Sequence, residues 1–242
     1  MTIELVLLSS AIVFAGFVVL GLTGFGSALI MVPLLMLFLD PKLVVPTARL
    51  VGVIAVIYLT FGLWKQAKKR IWLVLLTGSL IGTVIGTYGL SVLKSDLIRM
   101  IFAGVIILFA LNIFFGGKNL QKPGFSRIIA VFVGMISGIT GALFALSGPP
   151  VAWYLTRQLP NKDEFRATIV TYFSFSTLWG LVAYGYAGLL TQEVFIFSVY
   201  MLPAVAFGTL VGHVLHLRIN RTLFRRVVAI ILLVTSIGLL IK

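Results

Sequence analysis

The chain has 242 residues, of which 60% are hydrophobic and only 10% are charged. A soluble domain with this balance would aggregate, so the long uncharged stretches indicate a protein that crosses a membrane several times, without a soluble domain. The net charge of +13 would suggest nucleic-acid binding in a soluble protein. Here the basic residues lie between apolar stretches, so we interpret them as topology signals and lipid contacts, and expect no nucleic-acid partner.

The first long apolar stretch, residues 5–39, contains no charged residue. As one straight helix it would be about 52 Å long, whereas the hydrocarbon core of a bilayer is about 30 Å thick. The stretch Gly21-Leu22-Thr23-Gly24-Phe25-Gly26-Ser27 lies in its middle and weakens the helix there, because glycine is a poor helix-interior residue. The sequence therefore predicts a broken hairpin over 5–39.

The rest of the chain follows the same plan. Three helices are predicted at 43–64, 71–91 and 97–116, with basic residues in the turns between them. A second long apolar stretch, 128–156, contains Gly138-Ile139-Thr140-Gly141 and then Ser147-Gly148-Pro149-Pro150, and predicts a second broken hairpin with breaks at both motifs. Three more helices are predicted at 167–187, 194–215 and 223–241.

The two halves of the chain, 1–117 and 118–242, resemble each other. Several residues recur 117 positions later, among them Gly21, Thr23, Gly24, Pro33 and Arg49 as Gly138, Thr140, Gly141, Pro150 and Arg166. In the third helix of each half the offset becomes 126, where Gly82-Thr83 and Gly86 match Gly208-Thr209 and Gly212. Interrupted apolar segments in matching positions are typical of a secondary transporter whose site lies between its repeats.

The distribution of basic residues predicts the topology. If both long stretches are hairpins that return to the side they left, the loops on one side hold 14 Lys and Arg and those on the other hold 5. Eight simple crossings would give no such bias, so the positive-inside rule favours hairpins. Each half then has one hairpin and three crossings. We therefore predict an all-α integral membrane protein of two inverted repeats, in which the hairpin tips meet near the midplane.

A helix break inside a membrane protein exposes a half-helix N-terminus, whose N–H groups and positive dipole attract anions. The apolar stretches contain no Asp or Glu, which argues against a cation or metal site at membrane depth. The alternative is that these small residues only let helices pack closely. We predict that an anionic substrate binds at Thr23, Gly24, Gly26, Ser27, Thr140, Gly141, Ser147 and Gly148, with Ser147 capping a half-helix.

Three basic residues near the membrane segments have possible roles in transport. Arg49 and Arg166 each follow a hairpin and are predicted to recruit or gate anions, the alternative being that they extend to the lipid headgroups. His213 is a candidate proton relay, although a membrane histidine is more often hydrogen-bonded to a neighbour. With no cysteine and two histidines, we expect no metal, no cofactor and no catalytic residue.

The glycine-rich break leading to Pro33-Leu34-Leu35, the second break leading to Pro149-Pro150, and the later Phe165-Arg166-Ala167-Thr168 resemble the TauE/SafE family of sulfite exporters and toluene-sulfonate uptake permeases. The resemblance implies a permease of the bacterial inner membrane for sulfite, sulfoacetate, other sulfonates or thiosulfate. The residues alone indicate an anion transporter, not sulfur. An anion channel on the same fold, a carrier of another organic anion, proton coupling and a homo-oligomer all agree with the sequence.

Overall fold

The computed structural model describes residues 3–23, 26–115, 126–215, 235 and 238–239. Within these residues the chain is helical and contains no strand, which confirms the predicted all-α fold class. They form nine α-helices, namely α1 (Ile3–Thr23), α2 (Ser27–Met36), α3 (Pro41–Leu63), α4 (Lys69–Val92), α5 (Ser95–Phe115), α6 (Arg127–Phe144), α7 (Gly148–Gln158), α8 (Lys162–Tyr186) and α9 (Gln192–Leu215), with a 3-10 turn at Trp64–Gln66.

Six of the described helices are long and apolar enough to cross a membrane. They are the first arm of each hairpin and the helices predicted at 43–64, 71–91, 167–187 and 194–215. The helix predicted at 97–116 corresponds to α5, whereas the one predicted at 223–241 lies almost entirely outside the described residues. The chain is therefore a multi-pass membrane protein.

The six acidic residues mark helix starts, where a negative charge is favourable beside the positive end of the helix dipole. The Asp40 carboxylate precedes α3 and accepts the Lys42 N–H at 2.7 Å, while its other oxygen accepts the Ser95 hydroxyl at 2.7 Å. Every acid lies in the first turn of a described helix or directly before one: Glu4, Asp40, Asp96, Asp163, Glu164 and Glu193.

Both predicted hairpins form, and in each the second arm folds back along the first. A Cβ atom placed on Gly16 of α1 would lie 2.9 Å from the Ser27 carbonyl oxygen and 3.3 Å from the Met31 Cβ, both on α2. In the second hairpin the Tyr154 hydroxyl of α7 donates to the Ser126 carbonyl, directly before α6, at 3.4 Å. Each hairpin therefore returns toward the end from which it started.

The arms of each hairpin are unequal in length, although the sequence predicted arms of similar length. The first arms have 21 and 18 residues, in α1 and α6. The second arms have 10 and 11 residues, in α2 and α7. At 1.5 Å per residue the first arms measure about 30 Å and the second about 15 Å, so only the first arm has the length of a full membrane crossing.

The chain divides into two compact units, and each draws on both predicted halves of the sequence. The first unit contains α1, α2, the start of α3 up to Val51, α5 and α9. The second unit contains the remainder of α3 together with α4, α6, α7 and α8. A half of the sequence is therefore not a compact body, and the domain division at 117/118 stays a prediction about sequence repeats.

In the first unit α1 and α9 run parallel and touch through glycines. A Cβ atom on Gly208 would lie 2.7 Å from the Phe14 carbonyl oxygen, and one on Gly21 would lie 2.6 Å from the Thr209 carbonyl oxygen. Gly212 likewise faces the backbone of α1. Because any side chain would overlap the neighbouring backbone at these positions, glycine sets the distance between the two helices.

In the second unit α4 and α6 also run parallel and touch through glycines, here on both helices. Gly78, Gly82 and Gly86 of α4 face backbone carbonyls of α6. Gly134 and Gly138 of α6 in turn face backbone carbonyls of α4. With this spacing of four residues every glycine falls on the same side of its helix, which allows two membrane helices to approach closely along their length.

The helix α8 runs along α4 in the same direction. Directly before α4, the Lys68 N–H donates to the hydroxyl of Thr168, in the second turn of α8, at 2.9 Å. Further along, the Ser79 and Ser176 hydroxyls lie 2.9 Å apart and share a hydrogen bond. Hydrogen bonds therefore connect α4 and α8 at two levels. Since α8 also bonds to α6, we call the space between α4, α6 and α8 the seam.

Equivalent residues of the two hairpins lie 121 positions apart, whereas matching residue types indicated 117. Ser27 begins α2 and Gly148 begins α7. The capping residues of the next helices, Asp40 before α3 and Asn161 before α8, have the same separation. The difference of four residues is about one helical turn. The repeated motif therefore lies one turn further from the break in the second hairpin than in the first.

Candidate functional site

The first break lies inside the predicted glycine-rich stretch, between the end of α1 at Thr23 and the start of α2 at Ser27, which confirms its position. Gly26 precedes α2 with a φ of 98°, a left-handed backbone that side chains disfavour. The Leu29 N–H donates to the Gly26 carbonyl at 3.1 Å and closes the first turn of α2. Gly24 and the side chain of Thr23 lie outside the described residues.

The second break lies between the end of α6 at Phe144 and the start of α7 at Gly148. Ala145 adopts a left-handed backbone with a φ of 56°, which costs a non-glycine residue about 1 kcal/mol or more. Ser147 is the N-cap residue of α7 and proline follows in the first turn, as predicted, although the Ser147 hydroxyl makes no capping hydrogen bond. Its hydroxyl is therefore not used by the helix that it precedes.

The prediction that the chain also breaks at Gly138–Gly141 is wrong, because these residues lie within the continuous helix α6. A Cβ atom on Gly138 would lie 2.5 Å from the Ser79 carbonyl oxygen and 2.8 Å from the Thr83 nitrogen. Close packing against α4, the alternative considered for these glycines, offsets their low helix propensity. Since Gly141 is helical, its N–H lies within the helix and not at the break.

Thr140 holds the second break together. Its hydroxyl oxygen lies 2.9 Å from the Leu146 carbonyl oxygen, beyond the end of α6, and 2.9 Å from the Ile136 carbonyl oxygen in its own helix. Its carbonyl accepts the N–H groups of Ala145 and Leu146. The single hydroxyl hydrogen of Thr140 is therefore engaged by backbone, and its role in substrate binding stays a prediction.

Two tyrosines of α8, which were not among the predicted site residues, complete the second break. The Tyr172 hydroxyl donates to the Ser137 hydroxyl at 2.9 Å, which donates to the Ser147 carbonyl at 2.7 Å. The Tyr184 hydroxyl donates to the Ala142 carbonyl in the last turn of α6. The sequence could have indicated these bonds, because a tyrosine hydroxyl inside an apolar helix needs a hydrogen-bond partner. The bond from Tyr184 satisfies a carbonyl that the end of α6 leaves without a helical partner, and the bond from Ser137 connects α6 to the residue before α7.

The second arm of each hairpin directs its N-terminus at its break. In α7 the residues Pro149 and Pro150 have no N–H group, so Gly148 carries the amide hydrogen of the first turn that is nearest the break. In α2 the first residue is Ser27, which is partly exposed, as is Ser147 at the second break. These ends combine a positive dipole with hydroxyl groups and therefore suit an anion.

The predicted site residues divide between the two units. Gly26 and Ser27 lie at the break of the first unit, and Thr140, Gly141, Ser147 and Gly148 lie at or near the break of the second. The structure thus brings together the predicted residues within each break. That the two breaks share one substrate stays a prediction.

Arg49 and Arg166 lie in the helices that follow the hairpins, as predicted, but at different depths. Arg49 is the ninth residue of α3 and is 5% exposed. Arg166 is the fifth residue of α8 and is partly exposed. Their distance from the helix start therefore differs by about 6 Å, or one turn. The burial of Arg49 within protein does not fit an arginine that extends to the lipid headgroups.

His213 lies in the last turn of α9 and is exposed, next to the buried Gly212. A Cβ atom on Gly21 would lie 2.7 Å from its backbone nitrogen, so His213 is level with the end of α1 and hence with the first break. Its position next to the break agrees with a role in proton transfer, which stays a prediction.

The sequence model of the family described as Sulfite exporter TauE/SafE matches residues 8–239 of the chain. This match includes the second hairpin, the first hairpin from residue 8 onward, and all the residues proposed above for the two breaks. No curated protein and no solved structure matches the chain.

Proposed function

Because the chain belongs to the sulfite exporter TauE/SafE family of membrane transporters, we propose that it carries small sulfur-containing anions across the bacterial inner membrane. Sulfite, sulfoacetate and other sulfonates are the proposed substrates, and alternating access is the proposed mechanism. The observation that carries this proposal is the pair of half-helices, α2 and α7, that direct their N-termini at a break in a membrane protein.

The electrostatics of the described membrane helices support an anionic substrate. An anion is stabilised by N–H and hydroxyl donors and is repelled by carboxylates. Every acidic residue lies at a helix start, away from the two breaks. The breaks instead present the first turns of α2 and α7 and the partly exposed Ser27 and Ser147. A cation would find positive dipole ends at both places.

The residues proposed to bind the anion act in two ways. Gly26, Ser27, Ser147 and Gly148 provide donors at the second arms, and Thr23 and Gly24 stay in the proposed set from the sequence alone. Thr140 and Gly141 support the second break from within α6, where the Thr140 hydroxyl is bonded to the chain beyond it. A sulfonate group, with three acceptor oxygens and a delocalised charge, matches such a set of neutral donors.

Arg49 and Arg166 supply the positive charge in this proposal. One lies in the unit of each break, and Arg49 is almost fully buried. A guanidinium presents several N–H groups in one plane and pairs well with oxyanions. We therefore assign both residues to recruiting or gating the anion, with His213 as the candidate for proton coupling.

An anion channel and a carrier of a non-sulfur organic anion use the same architecture. A carrier saturates at substrate concentrations near its affinity and shows counterflow, whereas a channel does neither. A carrier of carboxylates would prefer an organic acid to sulfite. Transport kinetics, namely saturation, counterflow and substrate preference, therefore distinguish both alternatives from the proposed function.

The test is the flux of labelled sulfite, thiosulfate and sulfoacetate into proteoliposomes that contain the full chain, with and without a pH gradient. We expect saturable flux of at least one anion, which excess unlabelled anion abolishes. Dependence on the gradient would identify proton coupling. Folded protein that moves none of these anions, or that moves a carboxylate faster, would contradict the sulfur assignment.

A further inference from the structure

Three threonine hydroxyls in α4 and α9 are buried and unpaired. Thr83 is 0% exposed, and Thr87 and Thr209 are each 4% exposed. Their Oγ1 atoms have no hydrogen-bond partner in the part of the chain that the structure describes. In contrast, Thr60 of α3 donates to the Val56 carbonyl at 2.8 Å, the usual arrangement for a threonine in an apolar helix. Buried hydroxyls without a partner are rare because they lose hydrogen bonds with water and gain none.

Thr83 and Thr209 occupy equivalent positions in the two units. Thr83 follows Gly82, which packs against α6 at Ile139, five residues before the end of that helix. Thr209 follows Gly208, which packs against α1 five residues before its end. The same costly feature therefore occurs at the same distance from both breaks. Ser9, Thr47 and Thr171 are also buried without a partner among the described residues, and what favours a shared role for Thr83 and Thr209 is their matching places.

In the second unit the unpaired hydroxyls continue a polar stripe. Ser79, Thr83 and Thr87 are four residues apart and hence lie on one face of α4. Ser79 shares a hydrogen bond with Ser176 of α8 at 2.9 Å, so this face is directed at the seam between α4, α6 and α8. The Tyr184 hydroxyl in the same seam is paired with a carbonyl of α6. The stripe is thus paired at its start and unpaired nearer the break.

The unpaired part of this stripe reaches the level of the second break. Gly86 lies against Ala142, two residues before the end of α6, and Thr87 is the next residue of α4. In the first unit the glycine at this level is Gly212, which lies against Gly21, two residues before the end of α1, and Thr209 lies about one turn earlier, like Thr83. Thr87 therefore lies within about one turn of the second break, and Thr83 and Thr209 lie about one turn further from theirs.

We propose that Thr83 and Thr87 donate hydrogen bonds to the oxygens of an anion at the second break, and that Thr209 does the same at the first break. This inference rests on the proposed function and adds binding residues that the repeat motif of the hairpins does not contain. The hydroxyls are desolvated before the anion arrives and are bonded to no acceptor among the described residues, so binding supplies a partner without breaking a bond seen there. Neutral donors of this kind stabilise an oxyanion where no carboxylate is near.

The inference is tested by thermal unfolding of the purified full chain in detergent, followed through its four tryptophans, with sodium sulfite, thiosulfate or sulfoacetate against sodium chloride of equal ionic strength. A bound anion raises the Tm of the wild type by an amount that grows with its concentration. The variants are Thr83→Val, Thr87→Val and Thr209→Val, which keep the shape of the side chain, and the corresponding serine variants, which keep the hydroxyl. The controls are Thr77→Val of α4 and Ser198→Ala of α9, whose hydroxyls bond to their own helices.

We expect each valine variant to unfold at or above the wild-type Tm without anion, since it removes an unpaired group, and to need about tenfold more anion for the same rise. The serine and control variants should respond like the wild type. A valine variant with an unchanged anion response, or with a markedly lower Tm, overturns the inference and leaves the proposed function intact. A wild type that responds to none of the anions overturns both.

Discussion

Ala142 of α6 lies against Gly86 of α4, so that a Cβ atom at position 86 would be 2.9 Å from the Ala142 Cβ. In the other unit a Cβ atom on Gly212 of α9 would lie 3.0 Å from the Gly21 Cα of α1. Both contacts lie two residues before the end of a broken arm. The helix that carries the unpaired threonines is thus held against each break through a glycine.

Replacing Gly86 by leucine should separate α4 from α6. The added side chain has no space beside the Ile139 carbonyl and Ala142, so we expect a loss of about 3 kcal/mol or more in the free energy of unfolding. The measurement is the Tm in detergent together with the monodispersity of the purified protein. Gly104→Ala is the matched control, because no atom lies within 4 Å of its Cβ position.

The control variant Gly104→Ala should be slightly more stable than the wild type, by about 0.5–1 kcal/mol, since alanine is the better helix former. Equal Tm values for Gly86→Leu and the wild type would show that α4 and α6 are not held together in this register.

Replacing Ala145 by glycine should stabilise the second break. Ala145 has a φ of 56°, where glycine has no Cβ to be strained, so the free energy of unfolding should rise by about 1 kcal/mol. Ala142→Gly is the control. Ala142 is buried and helical, so losing its methyl group should lower the free energy of unfolding by about 1 kcal/mol. Opposite shifts in Tm are expected, and a drop for Ala145→Gly would mean that its methyl group is needed at the break.

How far the sequence predicted the breaks depends on what each glycine does. At the first break Gly26 adopts a left-handed backbone, which favours glycine, so the glycine-rich stretch itself indicated this break. Gly138 instead permits the approach of α4, and a glycine in an overlong apolar stretch looks the same in either role. The left-handed residue at the second break is Ala145, for which residue type gives no signal. The sequence therefore predicts that each long apolar stretch is broken. The position of the second break depends on the packing of α4 against α6, which the sequence does not show.

The assembly of the units was not predictable from the repeat. Matching residues between halves identify similar elements, but α1 packs on α9 and α6 packs on α4, so each unit combines both halves. The partners of the second break, Tyr172 and Tyr184, come from α8. An unpaired hydroxyl such as that of Thr83 is recognised only when every neighbour is known, because most threonines in apolar helices bond to their own backbone.

The bonds from Tyr172 to Ser137 and from Ser137 to Ser147 should behave as a unit. Ser137→Ala removes the bond from the Tyr172 hydroxyl and the bond to the Ser147 carbonyl, so we expect a loss of about 2 kcal/mol. Tyr172→Phe removes one donor and should cost about 1 kcal/mol. In the double variant we expect less than the sum of the single losses, because the two residues share one bond. Strict additivity in unfolding experiments would show that the chain of bonds is not formed.

Arg49 should act on substrate affinity more than on the maximal rate. Its side chain is 5% exposed, and a charge-assisted bond to an oxyanion is worth about 1.5–3 kcal/mol, so Arg49→Gln should raise the KM for sulfite in proteoliposomes about tenfold or more. Arg49→Lys keeps the charge but loses the planar set of donors, so its KM should lie between those of the wild type and Arg49→Gln. Arg157→Gln is the control, since that guanidinium stacks on Trp153 with 3.7 Å to the ring centroid. A KM for Arg49→Gln equal to that of Arg157→Gln would exclude Arg49 from anion recruitment, whatever its effect on stability.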